Sequence, residues 1–169
     1  MKLLFYLIVY SFLGFVLERI INIVYFGTWI DNSVLYGPYQ PMYGLGVILT
    51  LIFYQVVIKR MPTGFFLKTI SIVIAAIIFT GVSEYTSGTL YEMAYDKQLW
   101  DYQASFSLCN QPYVCIIPTG LFGILSALTV VYIHPIISMI SRAIPTFIKY
   151  AIIGIFLLDI IVTYYGVML

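Results

Sequence analysis

Long apolar runs alternate with short polar breaks along this chain. A helix that crosses the hydrocarbon core of a bilayer needs roughly 20 mostly apolar residues. Five stretches qualify: Leu3 to Phe26, Met42 to Ile58, Phe65 to Tyr95, Tyr113 to Ile133, and Ile148 to Leu169. The third is too long for one upright span. At about 1.5 Å rise per residue it exceeds roughly 40 Å, so it is expected to tilt or to project beyond the hydrocarbon. The pattern predicts an all-α polytopic membrane protein. It is read as a single transmembrane domain over residues 1–169, a bundle of about five helices.

Composition narrows the class. Apolar residues make up 62% of the chain and charged residues 9%, where a soluble domain carries about 25% charge. Eight Lys or Arg and seven Asp or Glu cannot coat a soluble globule of this size. A soluble enzyme and a disordered linker are excluded. The net charge of +1 leaves no basic footprint for nucleic acid.

Basic residues in short loops mark the cytoplasmic side. Lys2, Lys59, Arg60, Lys68, Arg142 and Lys149 fall on one side, and Lys97 on the other. The N-terminus and the 59–68 and 134–149 loops are therefore expected inside a bacterial cell membrane. The 27–41 and 96–112 loops and the C-terminus are expected outside. The first run contains Glu18 and Arg19, and no A-x-A-like site follows it, so it reads as a retained helix. Trp29, Trp100, Tyr36, Tyr39, Tyr43, Tyr91, Tyr95 and Tyr102 gather at the outer interface, a level that amphipathic rings prefer. Cys109 and Cys115 share that side, where an oxidising exterior permits a disulfide. Their spacing neither demands nor forbids one. Pro135 and Pro145 bracket a cytoplasmic connector. The pairs Gly123 with Ala127 and Ala76 with Thr80 suit close helix packing, within the bundle or in a homodimer.

The polar residues inside the runs carry the candidate chemistry, because an ionisable group in a span is a functional hypothesis by default. Glu18, Asn22 and Tyr25 lie on one face of the first run, and Arg19 points elsewhere. Glu84, Gly88, Tyr91, Glu92 and Tyr95 follow one helical face of the third. Eight residues separate Glu84 from Glu92, about 12 Å along the axis, too far to share one proton. The topology puts Glu18 and Glu84 in the outer half and Glu92 nearer the interface. Asp31 and Asp101 follow in the outer loops, and Asp159 lies deeper in the fifth run. A structural alternative stands beside the functional one: Arg19 pairs with Glu84 or Glu18, or Glu84 is protonated and hydrogen-bonded.

Tyr36-Gly-Pro-Tyr-Gln-Pro-Met-Tyr-Gly-Leu-Gly46 combines missing donors with permissive dihedrals. It is expected to be irregular rather than helical. Either it is a re-entrant loop dipping into the outer mouth of the bundle, or it is an ordinary external turn. No G-x-x-x-x-G-K-[ST] is present, so the chain should not hydrolyse ATP through a P-loop. No H-E-x-x-H is present, and His134 stands alone before Pro135. No metal or cofactor is expected.

Several residues together resemble the ABC-transporter permease family of the CmpB type, multi-pass bacterial membrane proteins. They are Ser11-Phe-Leu-Gly14 with Glu18, Gly37-Pro38 through Pro41-Met-Tyr43-Gly44-Leu-Gly46, Glu84 with Glu92, and Trp100-Asp101-Tyr102 with Asn110. The likeness covers about the first 125 residues. Two places depart: Asn32-Ser33-Val34 stands where the family has Asn-Arg-Gly, and Phe122-Gly123 where it has Trp-Gly. The resemblance implies a permease-like subunit that relies on a separate ATPase. Three functions follow. In the first, Glu18, Asn22, Trp29, Glu84, Glu92, Trp100, Asp101, Tyr102 and Asn110 form an outward-facing acidic and aromatic ligand site. Such a site suits a cationic or polyhydroxylated ligand, and Arg19 serves as a structural ion-pair partner. In the second, carboxyls such as Glu84 and Asp101 act as acid and base on lipid or envelope material; no nucleophile accompanies them. In the third, the charges merely hold a structural or regulatory subunit together.

Overall fold

A computed structural model describes residues 2–27, 33–105 and 107–168. Trp29 and Asp31 lie outside the described residues. The helices are α1 (Lys2–Phe26), α2 (Pro41–Val56), α3 (Phe65–Tyr95), α4 (Tyr102–Ser105), α5 (Ile116–Leu128), α6 (His134–Ala143) and α7 (Thr146–Met168). A 3-10 turn at Ile58–Arg60 follows α2, and a π-helical stretch at Thr129–Ile133 joins α5 to α6. No strand occurs among the described residues. Five elements are long and apolar enough to cross a membrane: Lys2–Val24, Pro41–Arg60, Phe65–Tyr95, Ile116–Ala143 and Thr146–Thr163.

The fourth element corrects the expected one at both ends. Its helix starts at Ile116 rather than Tyr113, because Cys115 is extended (φ −143°, ψ 138°) and disulfide-bonded to Cys109. It continues past Ile133 to Ala143, so Pro135 does not open the connector. Proline lacks an N–H and its ring crowds the carbonyl four residues back. The wider π turn immediately before His134 and Pro135 relaxes that crowding and lets the helix resume. The break falls instead at Ile144–Pro145, between α6 and α7.

The Pro/Gly-rich segment is also divided. Residues 33–40 are irregular, but α2 begins at Pro41 and takes in Gly44 and Gly46. Proline is favoured in a first helical turn, where its missing N–H has no intrahelical partner to lose. Gly44 lets α2 touch α1: a Cβ there would lie 2.6 Å from the Leu7 carbonyl oxygen.

The chain forms two compact units. One comprises residues 1–44 with 137–169, and the other residues 45–136. In the first, α1 packs on α7 around Ile8, Leu35, Ile153 and Phe156, joined by Tyr39. Leu35 and Tyr39 bring the irregular loop into this core, and the Tyr39 ring meets Phe156 edge-on at 5.1 Å. The Gln40 N–H donates to the Ser11 carbonyl at 3.0 Å. Such backbone is tolerated at membrane depth when protein buries it. In the second unit α3 packs on α5. A Cβ on Gly123 would lie 2.5 Å from Ile77 Cα, and Ala76 and Ala127 are buried beside this seam. Ser126 of α5 donates to Thr50 of α2 at 3.2 Å.

Candidate functional site

Glu84 and Glu92 lie on one face of α3, two turns apart, with Gly88 between them. Glu84 is 1% exposed, and hydroxyl groups meet both its oxygens. Tyr102 of α4 donates to Oε1 at 3.0 Å. Thr119 in the first turn of α5 donates to Oε2 at 2.5 Å. The Thr119 oxygen in turn accepts the Cys115 N–H at 3.2 Å. A buried carboxyl needs such partners, whatever its role.

Glu92 is half-buried. Tyr113 donates to its Oε2 at 2.5 Å, and Gln98 Nε2 lies 3.4 Å from its Oε1. The Tyr113 ring can lie against α3 only because residue 88 is glycine: a Cβ there would be 2.5 Å from the ring's Cγ. Burial, and then the bond to the Glu92 carboxylate, push the Tyr113 phenol up to about 12. Trp100 closes the group. Its indole N–H donates to the Tyr113 carbonyl at 3.4 Å, and its ring meets Tyr113 edge-on at 5.8 Å.

The loop that delivers these groups is fastened at several points. The Cys109–Cys115 disulfide closes it, with Cα atoms 5.1 Å apart. The Tyr102 N–H donates to the Pro112 carbonyl at 2.8 Å. Asp101 Oδ1 accepts the N–H groups of Gln103 and Ala104, at 2.8 and 3.4 Å, and so caps α4. Asn110 is exposed within the disulfide loop.

The second unit therefore brings together Glu84, Glu92, Trp100 and Tyr102, with Asp101 capping α4 beside them. Glu18, Arg19 and Asn22 belong to the first unit. Asn22 is 6% exposed and Arg19 4%. The Arg19 guanidinium donates to Ser33 Oγ at 3.0 Å and lies 4.6 Å from the Phe15 ring centroid. Asp159 of α7 accepts the Gly37 N–H on its Oδ2 at 3.0 Å.

Sequence reasoning missed Tyr113, Thr119 and Gln98. Tyr113 sits at the edge of an apolar run, where it reads as the start of a helix. A sharper signal was available: an aromatic with a hydroxyl, set between two cysteines and followed four residues beyond the second cysteine by a threonine. No group of three or more His, Cys, Asp or Glu suited to a metal occurs among the described residues.

Residues 5–164 match the profile of the family described as Putative ABC-transporter type IV, of the CmpB type. No curated protein matches the chain. No solved structure matches it.

Proposed function

The chain belongs to that ABC-transporter family, and from this premise we propose that it is a membrane-spanning permease subunit whose ATPase lies on a separate chain. The carrying observation is Glu84, a carboxyl buried in an apolar helix and held by two hydroxyls. Ionisable groups are unfavourable in lipid, and those kept there mark functional paths. With the basic turn at Lys59–Arg60 inside, and with it the Ile144–Pro145 break between Arg142 and Lys149, the C-terminal end of α3 faces the exterior. There Glu92, Tyr113, Trp100 and Tyr102 supply a carboxylate beside aromatic faces. That combination suits a cationic or polyhydroxylated ligand, through ion pairing, hydrogen bonds and cation–π contact. The cytoplasmic turns are the docking surface for the ATPase.

Crosslinking through lysine in native membranes, followed by mass spectrometry, tests the assignment. A P-loop ATPase linked to Lys59 or Lys149 is the expected result. Repeated recovery of the chain without any such partner would overturn it.

A further inference from the structure

We propose that Glu84 is a reversible proton-binding site, with Thr119 as the hydroxyl rotor that serves both of its protonation states. The inference goes beyond the permease reading and does not depend on it.

The argument starts from how helical hydroxyls behave in this protein. Ser11, Thr50, Thr69, Ser83 and Thr129 each donate to the carbonyl four residues back, a usual resting place for Ser and Thr in helices. Thr119 donates instead to Glu84 Oε2. Its carbonyl four residues back is that of Cys115. That oxygen already accepts the Thr119 N–H at 2.9 Å and has a second lone pair. In the usual helical arrangement that oxygen is the alternative acceptor for the Thr119 hydroxyl, beside the Glu84 carboxylate that it meets here.

Each protonation state of Glu84 is then fully bonded. When the carboxyl is ionised, Tyr102 donates to Oε1 and Thr119 to Oε2. When a proton from water adds to Oε2, the new O–H donates to Thr119 Oγ. The hydroxyl hydrogen of Thr119 swings to the Cys115 carbonyl. The Thr119 oxygen accepts two bonds, from Glu84 and from the Cys115 N–H, which fills its two lone pairs. Tyr102 keeps its bond to Oε1 throughout. None of these groups loses its partner in either state, so neither state carries the cost of an unsatisfied buried group.

The neighbouring elements leave this exchange to the hydroxyls. Within the second unit, α2 and α5 contain no Asp, Glu, Lys, Arg or His. Lys59 and Arg60 lie in the turn before α3, at its opposite end from Glu92. The other titratable groups of the cluster are Glu92, Asp101 and Tyr113 toward the C-terminal end of α3, together with Tyr102 itself. Tyr102 is half-buried and gives the carboxyl its contact with the less buried part of the cluster.

Infrared difference spectroscopy of the full chain in lipid bilayers, between acid and neutral pH, needs neither ligand nor ATPase. A carboxylic-acid C=O band should appear on acidification, vanish in Glu84→Gln and persist in Glu92→Gln. Thr119→Val removes a donor to the charged form. A bond to a charged group is the stronger kind, so the midpoint of that band should move to about tenfold tighter proton binding. A band unaffected by Glu84→Gln in a folded protein overturns the proposal. If Glu84→Gln does not fold, the valine variant decides: a displaced midpoint supports the site, and an undisplaced or absent band overturns it. A failure here would leave the ATPase crosslink untouched, and the converse also holds.

Discussion

Asp159 of α7 holds the backbone of the Pro/Gly-rich loop, its Oδ2 accepting the Gly37 N–H at 3.0 Å. The bond ties an irregular segment to a helix more than a hundred positions away in the chain. It gives the single acid of α7 a partner that is neither a base nor a ligand. A hydrogen bond to a charged group contributes about 1.5–3 kcal/mol. Asp159→Ala is therefore expected to destabilise the protein by about 2 kcal/mol in a denaturant or thermal melt. Gly37→Ala should act on the same contact, since its Cβ would lie 2.7 Å from Asp159 Oδ2 and 2.8 Å from the Tyr39 ring. The two changes share a contact, so the double variant should fall short of their sum by about 0.5 kcal/mol or more. Full additivity would show that the loop is held elsewhere.

The gross architecture was legible in the sequence because membrane spans are written in length and hydropathy, both local properties. The registers that matter at the site were not. Tyr113 looks like the first residue of an apolar run, but the extended, disulfide-bonded Cys115 stands between it and α5. Asp159 looks solitary on its own helix, because its partner is a backbone N–H on another element. Pro135 looks like a terminator because the pattern of side chains does not reveal a π turn. Glu84 and Glu92 were found by period. Of their hydroxyl partners Tyr102 was named, but Thr119 and Tyr113 were not, because Thr and Tyr are ordinary residues until the fold brings them within 3 Å of a carboxylate.

Glycines in the helices should separate sharply on substitution. A Cβ at Gly123 would press on the Ile77 backbone at 2.5 Å, whereas none of the described atoms lies within 4 Å at Gly120 or Gly154. Overpacking against backbone costs about 1–3 kcal/mol, and Gly123→Ala is expected in that range. Gly120→Ala and Gly154→Ala should be neutral or stabilising by up to about 1 kcal/mol, since alanine loses less backbone entropy in a helix. Thermal melts of the three single variants provide the comparison. Equal effects at all three positions would contradict the close α3–α5 approach.

Removing the disulfide should loosen the carboxylate caps before it unfolds the helices. The bridge closes a loop of about seven residues, which corresponds to about 2 kcal/mol in the chain-entropy account. The loop carries Tyr113 to Glu92, and its second cysteine supplies the N–H that Thr119 accepts. The Cys109→Ser, Cys115→Ser double variant is expected to retain its helical circular dichroism. Trp100, which contacts Tyr113, should become more accessible to a soluble fluorescence quencher, measured with Trp29 replaced by Phe. Unchanged quenching would mean that the bonds of Tyr102 and Tyr113 hold the loop without the bridge.

The last prediction concerns alkaline pH. The Tyr113 phenol is raised from its ordinary value of 10 to about 12, first by burial and then by the bond to Glu92. The folded state therefore holds this proton more tightly than the unfolded chain does. Below pH 10 both states are protonated, and the contribution is present in full. Between pH 10 and about 12 the unfolded chain releases the proton while the folded state retains it, so stability falls as pH rises through this window. Above about 12 both states have lost it, and the further fall from this group stops. Tyr113→Phe removes the titration. Its stability should decline less steeply than that of the parent between pH 10 and about 12, as followed by denaturant midpoints at successive pH values. Parallel declines would show that the Tyr113–Glu92 bond contributes nothing to folding in lipid or detergent, and that Trp100 and Gly88 alone seat the ring.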